Sequence, residues 1–182
     1  VDLLDSGAVE SDYGAITTGV AIGTDALYDR AVEDDRILFA PVTHTHAITT
    51  LADIPNFKAI NSCIEVDLFG QANAEFINGR QISGIGGLVD FLRGAAESDG
   101  GRAILALTST ARKGTISRIV PRLPNDATSI ARADVQNVVT EHGVADLQHK
   151  SIEDRAQALI AIADPQFQEQ LAADWHEIRK GL

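Results

Sequence analysis

Three glycines within Ser83-Gly84-Ile85-Gly86-Gly87-Leu88 form the most chemically suggestive stretch of the 182-residue sequence. Glycine lets a backbone approach a ligand closely, and amides at the mouth of a helix present free donors at the positive end of its dipole. That combination suits a phosphate or the oxyanion of an acyl-transfer intermediate. The spacing is GxGG rather than GxGxxG, which argues against a dinucleotide fold and leaves both a ligand loop and a tight structural turn open.

Four other stretches carry groups of interest. Thr43-His44-Thr45-His46 follows a strand-like run, the place where α/β sheets hold ligand groups. On an extended chain, histidines two apart point the same way and can share a metal, but no third His or Cys lies close in sequence. The expectation is therefore no metal, one histidine facing a site as a hydrogen-bond donor and the other exposed. Structural roles for both stay open. Glu65 and Asp67 fall on one side of a strand, as an acid/base pair or, more commonly, as a solvated face. Cys63 lies on the apolar side and reads as an inert core thiol. Ser109-Thr110-Ala111-Arg112-Lys113-Gly114 offers hydroxyls, amides and Lys113 to an anion, or is a surface loop. Glu141 and His142, neighbours in sequence, are poorly placed for a dyad, and 139–145 reads as a strand-to-helix turn.

The elements that must position these groups alternate between helical and strand-like patterns, which predicts an α/β domain with a largely parallel sheet. Helices are expected over Thr24 to Asp34 and Leu88 to Ala96. A further helix starts at the capping-box-like Ser151-Ile152-Glu153-Asp154, and another at Asp164-Pro165. The last two form a C-terminal helical pair. Strands are expected at Arg36 to Val42, Lys58 to Leu68, Ala103 to Leu107, Arg118 to Val120 and Val135 to Val139. A hairpin is expected at Phe69-Gly70.

Composition sets the outer bounds. The hydrophobic share of 45% and charged share of 23% are those of a globular domain. No apolar run approaches a membrane span, and no secretory signal is visible. A single cysteine fits a reducing cytoplasm. The net charge of −11 repels phosphate backbones and acidic membranes, so neither nucleic acid nor a membrane is an expected partner. The sequence holds no methionine and opens on Val1-Asp2-Leu3, which reads as the end of an element within something longer. Removal of an initiator before Val1 is the alternative.

Taken in order, five segments are far more specific than any one alone. They are INSCIEVDLFGQANAE (60–75), GRQISGIGGLVDFLRGA (79–95), RKGTISRIVPRLP (112–124), DVQNVVTEHGVADL (134–147) and KSIEDRAQALIAIADPQF (150–167). Together they resemble the C-terminal domain of the acetyl-CoA hydrolase/transferase family, which includes acetate and 4-hydroxybutyrate CoA-transferases. The resemblance runs from about Val1 to Phe167. It implies an α/β fold of the class I CoA-transferase kind, an open and mostly parallel sheet flanked by helices, in which two similar domains form a cleft for CoA. It also implies covalent, ping-pong chemistry, in which a glutamate attacks an acyl-CoA thioester to give an acyl-glutamyl anhydride and then a glutamyl-CoA thioester.

The family's glutamate sits in a His-Ser/Thr-Glu stretch just ahead of the segment matching Val1 to Gly7. None of Glu10, Glu65, Glu75 or Glu141 matches that motif. The resemblance thus implies that residues 1–182 are the second domain of a longer chain, with the first domain and the nucleophile elsewhere, and that this polypeptide alone does not turn over acyl-CoA. It carries Gly86 over to the oxyanion-hole and CoA-contacting backbone, with Gly84 and Gly87 lining the same pocket. His46 falls where relatives often have asparagine, at a position that can face the reacting acyl group. Because CoA is anionic and the chain acidic, binding must rest on local donors: the glycine-loop amides and Lys113, Arg80 or Arg93.

The expected ligands are acyl-CoA and small carboxylates, and the expected partner is the first domain. Dimers are common among such folds, so a homodimer is also considered. The competing expectation is a stand-alone CoA-binding or regulatory domain that kept the fold and lost the nucleophile.

Overall fold

The computed structural model describes residues 2–12, 14–124 and 128–182, so Val1 lies outside the described residues. The chain opens with short elements. After α1 (Asp2–Asp5) come β1 (Ile16–Thr18), α2 (Asp25–Glu33) and β2 (Ile37–Phe39), with β1 and β2 paired in parallel. Then α3 (Val42–Thr45) and α4 (Ile48–Ala52) follow. The expected strand Arg36 to Val42 therefore ends at Phe39. Pro41, with φ fixed near the helical value, caps a turn of helix that takes up Val42 to Thr45.

The stretch read as one strand over 58–68 is two. β3 (Lys58–Asn61) pairs with one sheet and β4 (Glu65–Asp67) with another. β5 (Ala72–Asn73) returns against β4 through the Phe69-Gly70 turn, as its sequence predicts. A second hairpin, β6 (Phe76–Ile77) and β7 (Arg80–Gln81), leads into α5 (Leu88–Glu97). Then come β8 (Arg102–Ala106), the hairpin of β9 (Thr110–Ala111) and β10 (Ile116–Ser117), and β11 (Ile119–Val120). β12 (Asn137–Thr140) and β13 (Gly143–Asp146) form another hairpin, so 139–145 turns from strand to strand rather than into a helix. The chain closes with α6 (Ile152–Ala161) and α7 (Pro165–Arg179). The caps at Ser151 and Asp164 are formed, each side chain accepting a bond from an amide in the first turn.

The main sheet has the order β13-β12-β8-β3, with two parallel pairings joining β12, β8 and β3 and one antiparallel pairing at the β13 edge. A three-stranded sheet, β11-β4-β5, stands beside it. The strands thus make several sheets of mixed sense rather than one mostly parallel sheet. The reason is local: β4-β5, β6-β7, β9-β10 and β12-β13 are joined by turns too short for a parallel crossover.

The core lies among these sheets, α5, α6 and α7, with Val66, Leu68, Leu92, Ile119, Val138 and Leu159 all fully buried. Trp175 on α7 packs edge-on to Phe69, with ring centroids 5.5 Å apart, and its indole N–H donates to Glu153 at 2.9 Å. Buried Arg155 donates to the carbonyls of Phe69, Leu147 and Arg132 at 2.7–3.0 Å, supplying partners that the interior would otherwise deny them. Gly70 (φ +83°) lies against that guanidinium, where any side chain would collide with it. Asp67, expected on a solvated face, is buried. It accepts from the amides of Phe69 and Gln71 and from the Gln71 side chain, and so closes the β4-β5 turn.

Candidate functional site

α5 is the crossover helix between the parallel neighbours β3 and β8 and packs on both. Its N-terminus therefore lies at the edge of the sheet where those strands end, the position at which open α/β sheets hold ligands. The glycine loop occupies that edge. Gly87 is the N-cap of α5, and Gly86 takes φ +56°, a left-handed conformation that a side chain would strain. Gly84 and Gly86 are exposed and have open space where a Cβ would stand. Among the described residues, the amides of Gly84, Ile85 and Gly86 donate to no protein acceptor. Free donors at the positive end of a ten-residue helix make an anion-binding arrangement.

His46 meets this loop. Its Nδ1 lies 2.9 Å from Thr45 Oγ1, and its ring stands edge-on to Phe91 of α5, with centroids 5.0 Å apart. A methyl group added at Gly87 would overlap Cδ2 and Nε2 of the same ring. The imidazole therefore fills the space that glycine leaves, with Nε2 beside the loop. When the Thr45 hydroxyl donates to Nδ1, the ring proton resides on Nε2, available to an oxygen held at the loop.

His44 goes elsewhere. On a helical turn, positions two apart face nearly opposite ways, so the two histidines do not point together as they would on an extended strand. His44 is exposed and lines a cleft of about 430 Å³ with Thr17, Thr50, Leu51, Phe57 and Phe91. Among the described residues, no three His, Cys, Asp or Glu side chains gather as metal ligands.

Lys113 is not brought to the glycine loop by any hydrogen bond or ion pair among the described residues. It sits with φ +59° in the β9-β10 turn, whose Gly114 carbonyl accepts from Gln166 at 3.0 Å. Arg93 is held by Asp134 at 2.8 Å. Glu141 lies at the carboxyl edge of the sheet, in a shallow cleft of about 450 Å³ with Ser62, Thr108 and Arg118. It accepts from both the amide and the hydroxyl of Ser109 at 2.8 Å. Backbone bonds from its own amide and that of Ser109 hold its carboxyl below the ordinary range. His142 stands 4.0 Å from it and 3.6 Å from Asp164, too far for a hydrogen-bonded dyad. Glu65 accepts from Asn73, and Glu75 from Ser129. Burial pushes the Cys63 thiol up to about 12, which keeps it a thiol.

Thr45 and Phe91, which orient His46, were not among the residues singled out from the sequence. Phe91 belongs to the apolar stripe of α5 and gives no separate signal. Thr45 sits inside the motif itself, between two histidines whose spacing draws the attention.

The chain is similar to known proteins over most of its length. The acetyl-CoA hydrolase/transferase C-terminal domain model matches residues 23–175. The 4-hydroxybutyrate coenzyme A transferase of Clostridium kluyveri is 45% identical over 159 residues, spanning 87% of this chain and 37% of that protein. A solved 4-hydroxybutyrate CoA-transferase from Porphyromonas gingivalis superimposes with a TM-score of 0.74 at 40% identity, covering 92% of this chain and 38% of its own. RipA from Yersinia pestis superimposes with a TM-score of 0.81 at 33% identity, covering 89% and 35%. The chain thus spans a little over a third of the length of the relatives it matches.

Proposed function

We propose, for a chain that belongs to the acetyl-CoA hydrolase/transferase family, that it is the C-terminal domain of a longer cytoplasmic acyl-CoA:carboxylate CoA-transferase or acyl-CoA hydrolase. The observation that carries this reading is the seating of His46 Nε2 in the space left by Gly87, beside a loop of unpartnered amides. The loop receives the thioester oxygen, and Gly86 amide donation stabilises the oxyanion as a carboxylate nucleophile adds. His46 donates from Nε2 to the same oxygen or to the carboxylate. Gly84 borders the passage of the CoA chain with open space to spare where a Cβ would stand, and Lys113 meets the anionic end of CoA as binding closes the β9-β10 turn over it.

The nucleophile is a glutamate of the first domain. Within this chain, Glu65, Glu75 and Glu141 are all committed to hydrogen bonds of the fold. The nucleophile's addition expels CoA as thiolate and leaves an acyl-glutamyl anhydride. Return of the thiolate to the glutamyl carbonyl releases the carboxylate and leaves glutamyl-CoA. An incoming carboxylate makes the enzyme a transferase, water a hydrolase.

The test is to assay the product of the native gene and residues 1–182 side by side, with acetyl-CoA and a panel of small carboxylates. The longer protein is expected to move CoA between carboxylates or hydrolyse the thioester, and residues 1–182 to do neither. Turnover by residues 1–182 alone would overturn the division of labour. CoA binding without turnover by the native product would favour a binding or regulatory domain.

A further inference from the structure

The first 54 residues carry apolar side chains on the outside. Val32 is 87% exposed and Ile22 82%, and Val20, Phe39, Val42 and Tyr28 are exposed with them. Tyr28 and Val32, four apart, share one face of α2, and α2 buries no residue. Two contacts link parts of this surface. Thr18 is the register partner of Phe39, and the Gly23 amide donates to the Tyr28 hydroxyl at 3.4 Å. The segment from 18 to 23 therefore lies between the end of β2 and α2. A surface this apolar marks an interaction site.

Two further observations say what covers it. β1 and β2 pair in parallel as a two-stranded sheet, each with a neighbour on one side only among the described residues. Parallel strands ordinarily occur in larger sheets covered on both faces, so this pair lacks the neighbours that such strands usually have. Residues 1–54 also hold ten acidic side chains against two arginines, a net charge of −8 out of the chain's −11. Two copies meeting through such a region would repel. The relatives, meanwhile, have close to two thirds of their length outside the matched part.

We infer that the face bearing Val20, Ile22, Tyr28, Val32, Phe39 and Val42 seats another part of the same polypeptide, which adds a strand to the β1-β2 pair and meets the acidic surround with a basic rim. This rests on the reading of the chain as one domain of a longer protein. It makes the covering part a structural completion of residues 14–42 as well as the bearer of a nucleophile.

Hydrogen exchange read by mass spectrometry, on residues 1–182 and on the native gene product, tests it. Amides in 16–39 are expected to exchange about a hundredfold or more slowly in the longer protein, while amides of the main sheet behave alike in both. Val32→Glu in the longer protein should return 16–39 to fast exchange and leave the main sheet protected. Equal exchange of 16–39 in the two proteins would overturn the inference. So would protection in residues 1–182 that rises with concentration, since the occupant would then be a second copy. A native product no longer than this chain would overturn it as well. CoA transfer is assayed separately: turnover without protection sinks the interface alone, and protection without turnover sinks the catalytic reading alone.

Discussion

The first 54 residues and the remaining 128 are about equally rich in apolar side chains, yet they end in opposite states. The hydrophobic core begins beyond Phe57 and gathers every buried apolar side chain from Ala59 to Trp175. Before it, among the described residues, only Leu4 and Leu51 are buried. α5 and α2 show the contrast in two helices of similar length. α5 buries Leu92, Gly94 and Ala95 against two strands, whereas α2 buries nothing. An amphipathic pattern fixes which face is apolar, but only the rest of the fold decides whether anything covers it. The catalytic candidates straddle this division. His46 comes from the poorly covered region and Gly87 from the well-packed one, and they meet at the mouth of α5.

The largest expected effect is on stability. Leu159→Ala removes a fully buried side chain and should cost about 2–5 kcal/mol in denaturant unfolding. A loss below about 1 kcal/mol would mean that the core is looser than its burial implies. Gly94→Ala comes next, because a methyl group there would overlap Leu51 Cβ where α4 packs on α5. Overpacking costs about 1–3 kcal/mol, offset by about 0.5–1 kcal/mol of helix propensity. The net expectation is a loss of about 1 kcal/mol, with exchange rising in 42–54. A neutral result would show that the two regions are not clamped at this point.

Thiol chemistry sharpens the same comparison. Cys63 ionises near 12 in the folded protein against 9.0 ordinarily, so its thiolate fraction at neutral pH falls about a thousandfold. Alkylation should require unfolding, whereas a thiol introduced by Val32→Cys in residues 1–182 should react at the rate of a free peptide. Between pH 9.0 and 12 the unfolded chain loses a proton that the folded chain keeps, so this group makes stability fall as pH rises through that window. The smallest effect is expected from Val32→Ser in residues 1–182, within about 0.5 kcal/mol of no change. A loss near that of Leu159→Ala would break the comparison outright.

Much of this was legible in the residues. Thr24, Ser151 and Asp164-Pro165 mark helix starts because such signals are local, although only Ser151 and Asp164 form the side-chain cap, and the apolar spacing of 88–96 and 152–163 survives into the packed helices. The strands were harder. KAINSCIEVDL is rich in strand formers throughout, yet it changes sheets at Ser62 to Ile64, since Asn61 pairs with Leu105 and Glu65 with Asn73. No local preference records a change of partner. The site was half legible: the glycine loop is a local signal, and His46 was singled out, but its seat against Gly87 joins residues 41 positions apart. Pro41 starting a turn of helix was the available clue that His44 and His46 part company.

The most direct test of the account compares Gly87→Ala with Gly84→Ala in the native gene product, following exchange of labelled acetate into acetyl-CoA. The added methyl at Gly87 must displace His46, whereas at Gly84 it meets open space. Gly87→Ala should lose about a hundredfold or more in kcat/KM with at most a small drop in melting temperature, and Gly84→Ala should stay within a few-fold of the parent. Full exchange activity in Gly87→Ala would contradict the pairing of His46 with the glycine loop.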